Sequence, residues 1–574
     1  MEITKKLKHI KNVFLDLITL LIVGLTIGIV LGIVSNLFVD GVSKINSFRL
    51  SLNQERYISL TNEFETITPI LFLISSALLI LVVRKLFKID RFHGPPDSIL
   101  ASHQSKNSID IRKGMGSTLT AFISASGGAS VGQYGPLVHF GATLASYFEK
   151  FTKRNLPPGI FIGCGVAAAI SAGFNAPIAG LVFAHEAILR HFSLRAGGAI
   201  AVSSIVASTI GSSFFEFNQN LVVSDKAPNL FEITPVVLLF SPLLAFAAIL
   251  FMYGIRLGPK IAKKTNLSPI YLLLIASLVC GSIGIFFPQI LGLGGNEMNQ
   301  ILSGEFTIFF LLILFLGKIF TTSLCIGFGF FGGIFAPALF VGSAAGALIA
   351  KIIILFGFSV SLPAMALAGT AAIGAVAIGA PIATTLIILE FTGSYEFAVA
   401  ALVAVQVSSF ITHRLYGDSL FDMALNDRGI KISLGRQHIQ MSDLKISDIA
   451  TNEAIVFQSN ITNDKILSKM KNKKVTEAIV KNIDDEYVGK IMFHDIVDNK
   501  SNLTAEYLAD RKSLVFESHQ SLVECIEMAS NFVGEFIPVR DKNSKKYIGS
   551  VAEADLFQAY LKLQNQVRFE EKDI

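Results

Sequence analysis

Charged side chains are scarce in this sequence. Asp, Glu, Lys and Arg together make up 16% of 574 residues, against 52% hydrophobic ones. Ordinary soluble domains carry about 25% charge, so this composition excludes one large soluble protein. The net charge is only +5, and the basic residues fall in loops and tails rather than along one face, which argues against nucleic acid as a partner. Cysteine is sparse as well. Cys164, Cys280, Cys325 and Cys525 fall in no CxxC or Cys/His ligand spacing, so neither a disulfide framework nor a metal site is expected. A P-loop is absent, which leaves ATP-driven pumping without a carrier. His185-Glu186 with His191 comes near a metalloprotease helix, but Leu189 stands where the second ligand would be, so two ligands would not share a helix face. The chain is not expected to be an enzyme.

What is present is apolar length. Mean hydropathy is +0.59, the composition of a membrane protein. Lys5, Lys6, Lys8 and Lys11 precede an apolar run over residues 13–38 that exceeds a signal h-region and has no clear Ala-x-Ala site after it. It reads as a first membrane helix behind a cytoplasmic N-terminus, residues 1–12. The run 69–83 ends in Arg84, Lys85, Lys88 and Arg91, a return to the cytoplasm. Residues 235–253, 270–287, 308–315 and 397–411 are further candidates, several shorter than the roughly 20 residues a perpendicular span needs. Between them lie stretches broken by Gly and Pro: 92–103, 114–147, 159–190, 327–356 and 363–391.

These broken stretches repeat. Gly132-Gln133-Tyr134-Gly135-Pro136 has an echo in Gly333-Ile334-Phe335-Ala336-Pro337, and each proline is followed five residues later by a glycine, Gly141 and Gly342. Gly165 precedes Ala176-Pro177-Ile178-Ala179 and Glu186; Gly369 precedes Ala380-Pro381-Ile382-Ala383 and Glu390, at the same offsets. Short, interrupted segments at matching places in two halves point to a midplane binding site in a transporter fold. Proline is at ease in a first helical turn. Glycines beside such a start let a ligand approach the backbone, and the first-turn N–H groups with the positive end of the helix dipole form an anion site. The expected architecture is an all-α polytopic membrane protein of two repeated halves with tilted and broken helices, inverted-repeat halves if each has an odd number of spans. The membrane part spans residues 13–428, its halves about 13–215 and 232–428.

From residue 429 to 574 the chain turns hydrophilic. Tyr487-Val488-Gly489-Lys490-Ile491 leads to Asp495, and Tyr547-Ile548-Gly549-Ser550-Val551 leads to Asp555. Each reads as a strand followed by a helix with an acidic first turn. Two modules of about sixty residues are small enough that sharing a core is expected.

Together these residues resemble the CLC family of chloride channels and chloride/proton antiporters, over nearly the whole chain, with a tail that resembles a tandem pair of CBS domains. Gly333 to Pro337 matches the family's GxFxP block in full. Gly132 to Pro136 matches its GxEGP block without the glutamate, and Phe92-His93-Gly94-Pro95-Pro96 stands where a GSGIP block would be, retaining only its second glycine and its proline. The resemblance implies chloride or a similar anion as substrate, a homodimer with one pore per subunit, and a multi-pass protein of the cell membrane with both termini cytoplasmic.

The departures carry functional information. In the family a glutamate at the position of Tyr134 gates the anion site and carries protons. A tyrosine is neutral near pH 7, so it could plug the pathway, or merely pack at a helix start. The inner proton glutamate of the antiporters falls at Ala187. Both steps of the proton route are therefore missing, and passive anion conduction is expected. Phe421 replaces the tyrosine that hydrogen-bonds the anion. His93 replaces a serine and reads either as an anion ligand that titrates or as a loop histidine. Glu186, Glu390 and Lys318 are intramembrane charges, and the resemblance favours a structural role in which each glutamate caps backbone N–H groups. In the tail, Asp495 and Asp555 match the ribose-gripping aspartate of adenine-nucleotide-binding CBS pairs. Met492 and Ala552 at the hydroxyl positions weigh against a nucleotide, leaving a dimerising or channel-modulating role and no other cofactor. Two alternatives stay open: a secondary active transporter coupled through another carrier such as His93, and a regulatory protein whose pore is closed.

Overall fold

The computed structural model describes residues 2–54, 62–104, 108–152, 156–215, 223, 227–498 and 503–572. The side chains of the N-terminal lysines lie outside the described set. Two compact units meet in sequence at residues 430 and 431.

The first unit is all helix. Its opening helices are α1 (Glu2–Gln54), α2 (Asn62–Phe87), α3 (Pro95–His103), α4 (Ile111–Ser126), α5 (Tyr134–Phe148), α6 (Pro158–Phe174), α7 (Pro177–Phe183) and α8 (Leu194–Phe214). Then follow α9 (Leu230–Thr265), α10 (Pro269–Phe286), α11 (Gly295–Leu302), α12 (Ile308–Gly327), α13 (Phe335–Leu355), α14 (Leu362–Ile378), α15 (Pro381–Thr392), α16 (Tyr395–Leu415) and α17 (Leu420–Asn426). Among the described residues eight helices are long and apolar enough to cross a membrane. Along α1, Ile27, Leu31 and Val42 are buried while Leu17, Ile22 and Leu37 are exposed, as expected where lipid rather than water covers the outer surface. Side-chain oxygens of Asp110, Ser193, Asn229, Thr307, Ser361, Ser394 and Ser419 cap the helices that follow them, which sets where those helices begin.

Several helices outrun the sequence expectation. α9 runs 36 residues through Pro235, Pro242 and Pro259, where residues 235–253 were expected. Membrane helices tolerate proline because neighbours satisfy the freed backbone groups. α12 and α16 likewise extend past the expected 308–315 and 397–411.

The repeat is a repeat in space. α6, α7, α14 and α15 are short apolar helices of 7 to 17 residues. α6 ends at Asn175 (φ 50°) and α14 at Gly379 (φ 74°), both left-handed. α7 continues into a π-helical turn, Ala184–Leu189. The repeated glycines explain their own spacing: a Cβ on Gly141 would strike the Gly165 carbonyl, and one on Gly342 the Gly369 carbonyl. Backbones of α5 and α6, and of α13 and α14, thus touch directly, the close approach that small residues permit in membrane interiors.

The second unit holds two small α/β modules. After α18 (Gly435–Asp443) the first runs β1 (Val456–Gln458), α19 (Asn463–Lys473), β2 (Glu477–Lys481), β3 (Tyr487–Met492), α20 (Phe493–Asp498) and α21 (Ala505–Leu508). The second runs β4 (Phe516–Glu517), α22 (Leu522–Ala529), β5 (Ile537–Arg540), β6 (Tyr547–Val551) and α23 (Glu553–Lys572). Both sheets pair their first two strands parallel and their last two antiparallel. A shared core was expected, but each module has its own: Phe457, Ile466, Val480 and Ile491 in one, Phe516, Leu522, Val539 and Val551 in the other. Polar groups join them. The buried Lys490 pairs with Glu477, whose carboxylate also accepts from the Glu535 N–H at 2.8 Å.

Candidate functional site

Two helices start at one place because two glycines pair there. Gly132 N–H donates to Gly333 O at 2.7 Å and Gly333 N–H to Gly132 O at 2.6 Å. The fit needs glycine, since a Cβ on Gly333 would lie 2.8 Å from the Gly135 nitrogen. α5 opens at Tyr134 and α13 at Phe335, with Pro136 and Pro337 third in their helices, and neither start has a side-chain cap. The first amides to reach back are Leu137, to Gln133 O at 3.2 Å, and Ala338, to Ile334 O at 3.0 Å. Two positive dipole ends therefore converge, each with first-turn amides that have no acceptor within the helix.

The other repeated pair of helix starts is filled. Glu390, in α15, accepts from Ile178 N–H at 2.9 Å and Ala179 N–H at 2.8 Å at the start of α7. Glu186 accepts from Ile382 N–H at 3.0 Å and Ala383 N–H at 2.7 Å at the start of α15. Both glutamates thus act as caps, each on the opposite half. Among the described residues the chain supplies its own carboxylates to α7 and α15 and none to α5 and α13.

A cavity lies on each side of the uncapped pair. The α17 cavity, of about 310 Å³, is lined by Gly135, Gly333, Ile334, Phe335 and Phe421, with Arg256, Lys260 and Arg428 among the charges at its wall. The α11 cavity, of about 460 Å³, is lined by Gln133, Tyr134, Phe174, Ala336 and Phe391, with Arg49 and Glu297. Aromatic rings separate the two. Tyr134 stacks on Phe174 with centroids 3.6 Å apart and stands edge-on to Phe335 at 6.4 Å; Phe174 also meets Phe335 at 5.5 Å and Phe391 at 5.6 Å.

The other candidates are placed as follows. Phe421 is buried and lines the α17 cavity. His93 lines neither cavity, although Phe92 and Gly94 line the α17 one; its ring faces His139 at 6.2 Å, and its Nδ1 lies 3.9 Å from Asp97. Ala187 is fully buried in the π turn. Lys318 is wholly buried and donates to Ile290 O at 3.0 Å and Gly292 O at 2.7 Å, under the Phe340 ring. It pins the loop before α11. In the tail, Asp555 caps its own helix by accepting from Ala552 N–H at 2.9 Å, and Asp495 lies 3.3 Å from His494.

Sequence reasoning missed Phe174, Phe391, Arg49 and Glu297. The aromatics belong to the repeat: Phe174 directly precedes Asn175, and Phe391 directly follows Glu390. Arg49 carried a detectable signal as a charge near the end of the first apolar helix.

Comparison with known proteins speaks to the family and the fold. The model of the voltage gated chloride channel family matches residues 71–413, more than half of the chain. A voltage-gated ClC-type chloride channel, ClcB of Escherichia coli O17:K52:H18, is 27% identical over 361 residues, covering 62% of this chain and 85% of ClcB. The crystal structure of a slow cyanobacterial chloride/proton antiporter superposes with a TM-score of 0.64 at 21% identity, over 71% of this chain and 98% of that one. A eukaryotic CLC transporter superposes with a TM-score of 0.60 at 16% identity, over 95% of this chain and 98% of that one. At such identities the structures speak for the fold alone, whereas the family model spans the paired helix starts in both halves. This polytopic membrane protein belongs to the voltage-gated chloride channel (CLC) family.

Proposed function

We propose that this chain is an uncoupled anion channel or carrier for chloride or a similar small anion, gated by Tyr134. The carrying observation is that the boundary between the two cavities, where the uncapped starts of α5 and α13 meet, is filled by the Tyr134 ring against Phe174 and Phe335. The helix starts bind the anion through backbone N–H groups. The ring blocks passage, and its rotation opens it. A phenol does not exchange protons readily near pH 7, and Ala187 offers no inner carboxylate, so anion flux runs without protons. That ClcB is named a chloride channel supports the anion class.

The α17 cavity opens to the cytoplasm in this reading, because α17 leads straight into the hydrophilic unit; the N-terminus lies on the same side and the α11 cavity on the other. Two subunits associate, each with its own pore. The tail acts as a CBS-like pair that dimerises or modulates the pore. A nucleotide is not proposed there, since the Asp555 carboxylate already caps its helix and Met492 and Ala552 lack hydroxyls.

A second reading, proton coupling by another route, has one observation in its favour. His93 and His139 stack, and His139 Nδ1 lies 2.9 Å from Ser98 Oγ, a chain of groups able to pass a proton.

Anion flux from proteoliposomes tests the gate. Tyr134→Ala is expected to raise flux about tenfold, equivalent to about 1.4 kcal/mol, while Tyr134→Phe, which keeps the ring, stays near wild type. An unchanged Tyr134→Ala flux would show that the ring only packs.

A further inference from the structure

The buried cysteines are free thiols, and two of them meet across a helix contact. Cys280, on α10, and Cys325, near the end of α12, hold their sulfurs 3.6 Å apart although 45 residues separate them. The Cys325 thiol donates to the Cys280 sulfur, and the Cys280 thiol donates to Thr321 O at 3.8 Å. Neither lines the α17 or the α11 cavity, so the anion pathway makes no use of them. Both are fully buried in an apolar cluster with Leu73, Ile80 and Leu273. Packing there asks only for small apolar groups, whereas two thiols in contact are poised to join as a disulfide.

The surroundings select the oxidant. Apolar burial shields the pair from charged reagents, while Leu278 and Val279, just before Cys280, are exposed on the outer surface of the bundle. A neutral, lipid-soluble organic hydroperoxide meets both conditions. Lys318 lies two turns before Cys325 on the same face of α12, a buried cation of the kind found beside reactive thiols. Cys325 Sγ attacks the terminal peroxide oxygen, the O–O bond breaks, and the thiol proton leaves with the other oxygen as an alcohol, which leaves a sulfenic acid. Cys280 Sγ then attacks the sulfenic sulfur, and its proton leaves with the S–OH group as water. The two thiols lose two electrons, and the hydroperoxide takes up both.

The end of α12 also holds the two loops that set the helix starts. Thr322 Oγ1 lies 2.9 Å from the hydroxyl of Ser130, two residues before Gly132, and Cys325 O accepts from the N–H of Phe330, three residues before Gly333, at 3.0 Å. A covalent bond is shorter than the present sulfur contact, so forming it draws α12 against α10 and shifts both loops. The Gly132–Gly333 pairing has no slack to absorb this, since a Cβ on Gly333 would already strike the Gly135 nitrogen. Displaced helix starts hold an anion less well.

We propose that Cys280 and Cys325 are an oxidation site for organic hydroperoxides inside the membrane, and that the disulfide they form throttles anion flux. Formation of the bond is independent of the functional reading; its effect on flux rests on that reading.

Full-length protein in proteoliposomes, treated with cumene hydroperoxide, blocked with a maleimide in denaturant and digested without reductant, tests both parts. A peptide pair linked through Cys280 and Cys325 is expected, and dithiothreitol should separate it. Anion flux should fall severalfold as the linked fraction rises and recover with dithiothreitol. Cys280→Ala and Cys325→Ala should show neither the link nor the fall; where a variant does not fold, the link and its reversal in the wild-type protein carry the test. Maleimide on both cysteines after hydroperoxide treatment overturns the proposal, and so does unchanged flux in linked protein. A link in a protein that carries no anion at all would support the thiol site and overturn the functional reading instead.

Discussion

Glu186 and Glu390 exchange places: each extends from one half of the membrane unit and caps the short helix of the other half that carries its counterpart. Four charge-assisted N–H bonds of 2.7 to 3.0 Å thereby lock α7 to α15. Among the described residues, the same arrangement leaves α5 and α13 as the repeated helix starts without a carboxylate cap.

The caps are predicted to be structural. Glu186→Ala or Glu390→Ala removes two bonds to a charged acceptor and exposes two helix amides, a loss on the order of 2–4 kcal/mol. Thermal unfolding in detergent measures it. Glutamine at either position keeps one acceptor oxygen and should lose about half as much. A flux phenotype at unchanged stability would contradict the assignment.

The glycine repeats were legible because their spacing is set locally by one helix pair in each half, and the structure gives that spacing a cause in the contacts of Gly141 with Gly165 and Gly342 with Gly369. Contacts between halves were not legible. The sequence offers two glutamates nine residues after two prolines, but which helix each one caps is a tertiary fact. The motif position of His93 left an anion ligand and a loop histidine both open, and the fold sets its ring beside His139 and Asp97. Arg49 lies outside the repeat, so no counterpart drew attention to it.

Gly141→Val or Gly342→Val should separate these helix pairs and cost about 1–3 kcal/mol through overpacking. Gly198, on α8, is the control. A Cβ there meets nothing within 4 Å, so Gly198→Ala is expected to be neutral or to gain about 0.5–1 kcal/mol from reduced backbone freedom in the unfolded chain. Thermal melts of the three variants decide it.

Anion affinity from the α11 side should depend on pH through Glu297. Burial raises its carboxyl above the usual range, opposed by its own backbone amide, Lys318 and Arg49. As pH falls through that raised value the carboxyl takes up a proton and the cavity becomes more positive. The half-saturating anion concentration is therefore predicted to fall as pH is lowered through that raised value, at a higher pH than an ordinary carboxylate would require. Glu297→Gln should abolish the dependence.

A carboxylate restored at the gate should make flux itself titrate. Tyr134→Glu is expected to conduct poorly at neutral pH, where the ionised side chain competes for the helix starts, and better as pH falls and the group is neutralised. Wild-type maximal flux should show no such rise.

The central claim is that anions cross this protein without protons. Purified full-length protein in liposomes, with anion efflux and internal pH recorded together under an outward chloride gradient, tests it most directly. The account predicts sustained anion flux with no uphill proton movement. Proton accumulation against its own gradient, driven by the chloride gradient alone, would contradict it.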